Sequence, residues 1–356
     1  MQSIPQTFAV SFATPSQIKG AMGQITIKDI ARKLNLSPST VSRALRNHPD
    51  ISPETKGKVV ALAEQYDYHP NSIAQSLQTR KSRTIGIIVP EIKHHFFSFA
   101  ISGIDEVAYE AGYTIMVCQS NESYEREVLN IQALLSHRVA GLAMSISQET
   151  REIDHLHSAV RRAVPLVLFD RVSEEMPVSK VVVDDYQGAY QATAHLIQKG
   201  YRRIAHLAGP EYISIGKQRF KGYRDALADH GRPYDPALVI SGGFKERDGA
   251  EAAQRIVGMD PRPDALFAVN DPVAIGAFMH LKEAGLAIPR DMAVVGFSNN
   301  PISSYIEPAL TTIDQPAYKI GKAAGNLLLE EIQSEAEAPA PTIKTFPTQL
   351  IVRGST

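Results

Sequence analysis

One cysteine, Cys118, in 356 residues rules out an internal disulfide, and no Cys or His spacing of the zinc type is present. That cysteine poverty points to a reducing, cytoplasmic compartment. Long apolar runs are missing too, since no stretch approaches the ~18 residues of a membrane span. The first 23 residues lack the basic start and unbroken apolar run of a secretory signal, because Pro5, Gln6, Ser11, Thr14 and Pro15 interrupt them. They read as a disordered extension, although Met22 also allows residues 1 to 21 to be a start-site artefact. Catalytic signatures are equally scarce: there is no GxGxxG after the first strand, no GxSxG, no HExxH and no P-loop. Ser16-Gln17-Ile18-Lys19 fits the SxxK pattern of acyl-serine enzymes, but without the companion motifs it reads as chance. No catalytic residue, metal or cofactor is expected, and an enzyme reading has little to stand on.

Net charge is nearly absent as well, at -1, yet it is unevenly distributed. Residues 24 to 83 carry net +5 and residues 84 to 356 net -7, so a small basic module precedes a large acidic one. At 38.9 kDa the chain exceeds what one core usually organises.

In the basic module, Thr26 with Asp29 three residues on forms a capping-box pattern, and Ile27, Ile30, Ala31 and Leu34 follow at helical spacing. Asn35 stands where the chain needs a left-handed residue. Ser37-Pro38 then signals a second helix over Pro38 to Leu45, polar on one side and turning Val41 and Leu45 inward. Ser52-Pro53-Glu54 starts a third, with Val59, Leu62, Ala63 and Tyr66 on its inner face. Two helices around a tight turn, the second exposing hydroxyls and an arginine, suit major-groove reading; the alternative is a three-helix bundle with solvated charges.

These residues carry a resemblance. TIKDIARKLNLSPSTVSRAL (26–45) and DISPETKGKVVALAEQYDYHPNSIAQSL (50–77) are similar to the headpiece of lac repressor type (LacI/GalR) regulators, and the likeness extends over residues 24 to 356. It implies that Pro38, Ser39 and Arg43 face base edges of double-stranded, palindromic operator DNA while Ser37, Thr40 and Ser42 contact phosphates. Arg43 is the best reader, since its planar fork can bond guanine O6 and N7 together; the alternative is a phosphate contact. Asn35 departs from a common family glycine, at little conformational cost.

His69-Pro70-Asn71 breaks the third helix, and NSIAQSLQ (71–78) has Ile73, Ala74 and Leu77 on one side. Eight residues are too few to hold a helix alone. The resemblance makes this a hinge that folds on DNA, with Asn71, Ala74 and Leu77 in contact and Leu77 as the minor-groove wedge. Without the resemblance, residues 71 to 78 read equally well as a plain linker, since Thr79 to Arg83 form a polar, basic tether.

From Ile85 onward, short apolar runs alternate with amphipathic segments. Strands are expected at 85–90, 113–120, 139–147, 164–170, 180–185, 202–209, 264–270 and 292–300, and helices at 101–112, 124–138, 186–200 and 271–285. Alternation with strands buried on both faces means parallel sheets, and two of them fit, with ligand expected in the cleft at their strand carboxyl ends. The expected fold class is therefore an all-α helix-turn-helix headpiece plus an α/β core of two doubly wound parallel-sheet subdomains, like periplasmic sugar-binding proteins. Expected boundaries are 24–68 for the headpiece, 69–83 for hinge and linker, and 84–356 for the core. Within the core, the first subdomain takes 84–183 and 314–340 and the second 184–313 and 341–356.

By resemblance, a small-molecule effector, a sugar or sugar derivative, meets Phe96, Phe97, Asp170, Arg171, Arg219, Phe244, Asn270, Ser298 and Gln315. Aromatic faces cover a sugar ring, while carboxylate, guanidinium and amide groups bond hydroxyls. Taken singly, several also have a structural reading: Phe96 and Phe97 as core, Asp170 as a helix cap, Asn270-Asp271 as a cap before Pro272, and His94 and His95 as loop residues. GFSNN (296–300) has Ser298 where many members have aspartate, which puts a simple hexose in doubt. The helix YKIGKAAGNLLLEEI (318–332) lacks the arginine that the catabolite-control branch places near Asn326, which argues against a phosphoprotein corepressor. A homodimer rather than a tetramer is expected, because no leucine heptad closes the chain. The competing reading is a transport binding protein with a basic extension.

Overall fold

A computed structural model describes residues 25–68, 82–334 and 340–356. The chain divides into two compact units, 1–80 and 81–356.

The first unit holds α1 (Ile27–Leu34), α2 (Pro38–Leu45) and α3 (Pro53–Gln65). Each begins where the sequence signals it. Asp29 accepts from the Thr26 amide at 3.0 Å and its own amide donates back to the Thr26 hydroxyl, closing the capping box. Ser37 and Ser52 cap the next two helices, each with proline following. Asn35 is left-handed (φ 54°, ψ 41°). Helices this short are held by packing, here by Ile30, Ala31, Val41, Ala44, Ile51, Val59 and Ala63. Leu45, Leu62 and Tyr66, expected to face inward, are only half-buried.

The second unit contains two six-stranded sheets. The first comprises β1 (Thr84–Val89), β2 (Thr114–Gln119), β3 (Gly141–Met144), β4 (Leu166–Phe169), β5 (Ser179–Val183) and β11 (Ile343–Phe346), in the order β11-β5-β4-β3-β1-β2 and entirely parallel. The second comprises β6 (Ile204–Ala208), β7 (Val239–Ser241), β8 (Ala265–Ala268), β9 (Ala293–Ser298), β10 (Thr311–Asp314) and β12 (Gln349–Ile351), in the order β12-β10-β9-β8-β6-β7, with only β12 antiparallel. Helices α4 (His95–Glu110), α5 (Tyr124–Ser136), α6 (Asp154–Arg161) and α11 (Ala317–Gln333) accompany the first sheet. Helices α7 (Asp185–Gln198), α8 (Ser214–Asp229), α9 (Glu246–Val257) and α10 (Asp271–Glu283) accompany the second. No described helix is long and apolar enough to cross a membrane.

The chain therefore passes between the sheets three times, after β5, after β10 and between β11 and β12. This corrects the expected boundary, which gave residues 341 onward to the second subdomain: Ile343–Phe346 pairs with Lys180–Val183 in the first sheet, and the crossing comes at Pro347-Thr348. A short edge strand alternating exposed and half-buried residues does not read as a buried parallel strand. β7 and β12 are only three residues long, and β10 buries two threonines that read as polar, so none of the three stands out as an apolar run. Helix α4 starts at His95, six residues earlier than expected, so Phe96 and Phe97 sit in its first turn.

Glycines let the covering helices touch. A Cβ on Gly321 of α11 would strike the Ala100 carbonyl of α4, and one on Gly276 of α10 the Glu246 carbonyl of α9. Gly321→Ala should cost about 1–3 kcal/mol, whereas Gly57→Ala, on an exposed turn of α3 with nothing within 4 Å, should stabilise the headpiece by about 0.5–1 kcal/mol. Thermal unfolding of the two variants checks both signs.

His206 on β6 is fully buried, stacked 4.9 Å from both Phe267 and Tyr223, and its Nε2 has no partner among the described residues. Burial pushes its pKa down to about 4. The unfolded chain binds that proton near pH 6.5, so the native state loses stability as pH falls from about 6.5 to about 4, by roughly 3 kcal/mol in all. His206→Leu should remove that loss, so that the variant gains stability relative to the wild type as pH falls from about 6.5 to about 4; an unchanged difference between the two over that range would clear His206 of acid sensitivity.

Candidate effector cleft and nucleic-acid interface

On α2 the expected base-reading residues Pro38, Ser39 and Arg43 are all exposed, and Arg43 makes no ion pair with any described residue. Thr40 and Ser42 are half-buried. Ser37 is exposed but occupied: its hydroxyl accepts from the Thr40 amide at 3.1 Å and lies 2.7 Å from the Ser39 and 2.8 Å from the Thr40 hydroxyl. The helix start thus presents three linked hydroxyls, a polar cluster suited to phosphate oxygens. Asn71, Ala74 and Leu77 lie outside the described residues.

In the core, eight of the nine expected effector residues line one cavity of about 40 Å³: Phe96, Phe97, Asp170, Arg171, Arg219, Asn270, Ser298 and Gln315. They arrive from strand ends or helix starts of both sheets, as parallel sheets dictate. Phe244 is the exception. It is buried beneath Arg171, whose guanidinium lies 4.2 Å from the ring centroid, and does not line the cavity. Sequence reasoning missed Ile215, Pro272 and Asn300 and took His94 and His95 for loop residues, yet all five line it.

The polar groups fall into two sets. One is already engaged. Arg219, 1% exposed, donates from Nε to Asp185 at 2.8 Å and from a terminal nitrogen to the Val269 carbonyl at 2.6 Å, and lies 3.7 Å over the Phe297 ring. It is a positioning group rather than the free hydroxyl donor expected. Asn270 caps α10 by accepting from the Val273 amide, and its Nδ2 donates to the Phe244 carbonyl, the structural reading left open above. Asn299 turns away to donate to Asp314 and accept from Arg353. Buried Asp271, read from sequence only as part of a cap before Pro272, accepts from Ser303, Thr312 and the Asn300 amide and so fixes the 299–303 loop.

The other set waits. The Asp170 carboxyl has no hydrogen-bond partner among the described residues, and burial, against the opposing pull of Arg171 and Arg219, pushes it up to about 6. Its backbone is left-handed at φ 60°, a conformation that non-glycine residues adopt sparingly. Buried Arg171 Nε and Gln315 Nε2 are unpartnered as well, although another nitrogen of Arg171 donates to Glu122 at 2.7 Å. Ser298, at φ 116°, makes no hydrogen bond through its hydroxyl among the described residues. An acceptor and two donors without protein partners cost free energy unless a ligand or water supplies those partners. Among the described residues, no group of three His, Cys, Asp or Glu side chains is placed to hold a metal.

Comparison with known proteins gives this geometry a context. Residues 82–351 match the family described as periplasmic binding proteins and sugar binding domain of LacI family, and residues 26–71 match bacterial regulatory proteins, lacI family. The transcriptional repressor PurR of Vibrio cholerae is 33% identical over 310 residues, 87% of this chain and 92% of the relative. The transcriptional repressor CytR of Escherichia coli K12 is 32% identical over 331 residues, 93% of this chain and 96% of the relative. Among solved structures, the lac repressor dimer bound to operator and the anti-inducer ONPF superposes with a TM-score of 0.82 at 26% identity, covering 94% of this chain and 99% of that one. With both its headpiece and its core matched, this chain belongs to the lacI family: it is a DNA-binding transcription regulator with an effector-binding core.

Proposed function

We propose that the chain acts as a repressor, works as a homodimer on a palindromic operator in the cytoplasm, catalyses nothing, and is switched by a sugar or sugar derivative bound in the cleft. The observation that carries the effector reading is the waiting set: a lone carboxyl at Asp170 and unpaired donors at Arg171 and Gln315, beside the Phe96 and Phe97 rings. A polyol supplies hydroxyls that both donate and accept, and a ring face for the aromatics. Relatives lend support: a transcriptional regulator CelR was solved with cellobiose, at a TM-score of 0.72, and the lac repressor was solved as an operator-bound dimer. At about 40 Å³ the cavity is smaller than the ~300 Å³ usual for ligand pockets, so entry requires the two sheets or their side chains to part. Asp170 and Arg171 come from the first subdomain, Arg219, Asn270 and Ser298 from the second, and a ligand touching both favours one relative arrangement over another; that difference is what reaches the DNA.

In the headpiece, Pro38, Ser39 and Arg43 read bases and Ser37, Thr40 and Ser42 hold phosphates, with Asn71, Ala74 and Leu77 as hinge contacts. Arg43→Ala should cost about 1–3 kcal/mol on the operator and relax preference at one position per half-site. Equal weakening on every sequence would assign Arg43 to phosphate.

The effector site makes a prediction of opposite sign for stability. A carboxyl whose folded pKa is raised to about 6 stabilises the native state below its unfolded value near 4, and this contribution is lost as pH rises through about 6. Asp170→Asn should therefore stabilise the core at pH 7, by up to about 3 kcal/mol, while abolishing operator release by the sugar that releases the wild type. A destabilised variant, or one that still responds, would remove Asp170 from the site.

A further inference from the structure

Beside the cavity, carboxylates of the first subdomain face cations of the second, with Glu246 and Asp248 of α9 interspersed among those cations. Past the strand ends of the first sheet stand Glu91, Glu149 and Glu174; across the cleft stand Lys217 in the first turn of α8, Lys245 capping α9 and Arg247 just within it. Lys245 Nζ lies 3.1 Å from Glu91, and Lys217 Nζ lies 3.5 Å from Glu174. Arg247 and Glu149 face the same cavity of about 200 Å³, which lies between the subdomains. The pairs differ in kind. Glu174 and Lys217 are well exposed, so their attraction is weak. Glu91 is only 3% exposed and also meets Lys93, on its own side, at 3.1 Å. Burial pushes its carboxyl up, but the two lysines outweigh burial and hold it below the usual range.

We infer that these facing charges form an electrostatic latch, centred on Glu91 and Lys245, which holds the cleft closed before any effector enters. The neighbours of Lys245 reinforce the placement: Phe244 lies under Arg171 of the first subdomain, and the Phe244 carbonyl accepts from Asn270, which lines the cavity. A ligand that shifts Asn270 therefore pulls on the segment bearing the latch. The inference rests on the cleft being the effector site, since only then does closure regulate anything.

The Val172 amide donates across the cleft to the Ser214 hydroxyl at 3.2 Å, so its hydrogen exchange reports closure. Exchange is measured on the full chain without effector or DNA, which leaves the proposed effector and operator untouched by the result. Lys245→Met should speed Val172 exchange about tenfold while the sheet amide of Leu168 stays slow, and Lys245→Arg should restore protection. Raising salt on the wild type to about 1 M should speed Val172 selectively as well. Unchanged Val172 exchange in Lys245→Met and in high salt overturns the latch. If Lys245→Met also loosens Leu168, the fold has failed, and the wild-type salt series alone decides.

Discussion

Arg219 has most of its guanidinium taken, because Asp185, the Val269 carbonyl and the Phe297 ring hold it, although it still lines the cavity. Those partners belong to the start of α7, the end of β8 and β9, so one side chain joins the carboxyl edge of the second sheet to two of its covering helices. Burial pushes the Asp185 carboxyl up while Arg219 pulls it back, which leaves each ion dependent on the other. Breaking such a pair by removing one member typically costs about 3–5 kcal/mol. The wall that carries Asn270 and Ser298 rests on this contact, and ligand specificity is built on the groups left over.

Those leftover groups show how binding opposes stability. Asp170 loses stability as pH rises through about 6, and His206 loses it as pH falls toward about 4, so over the shared interval the two slopes oppose each other. The intact protein can have a flat acid profile that conceals two strained sites. Asp170 is strained in its backbone as well as its charge, the combination expected where a fold retains a group for its ligand rather than for itself.

Much of this was legible beforehand because it is local. Caps at Thr26, Ser37 and Ser52 lie within three residues of their partners, and buried parallel strands announce themselves as apolar runs. What stayed hidden is made by distant partners. Arg219 and Asp185 are 34 residues apart and Arg219 and Val269 are 50, so nothing near Arg219 betrays that it is occupied. Phe244 reads as a ligand platform until Arg171, from the other subdomain, is found on its face. Asp271 looks like a routine acid in a helix's first turn, although its bonds to Thr312 and Ser303 shape the cavity rim. Edge strands β11 and β12 escaped because half-exposed alternation in pieces of four and three residues carries little signal.

The three crossings between sheets also impose an order on biosynthesis. Strand β11 closes the edge of the first sheet beside β5, yet Ile343 follows Val183 only after nearly all of the second sheet has been made. On the ribosome, the nascent first subdomain therefore waits with one edge of β5 unpaired, a ready template for pairing with another chain. The helical headpiece, whose contacts are all near in sequence, is under no such delay and can fold as it emerges. A chain interrupted before β11 thus carries a finished DNA-reading module on an unfinished, association-prone core.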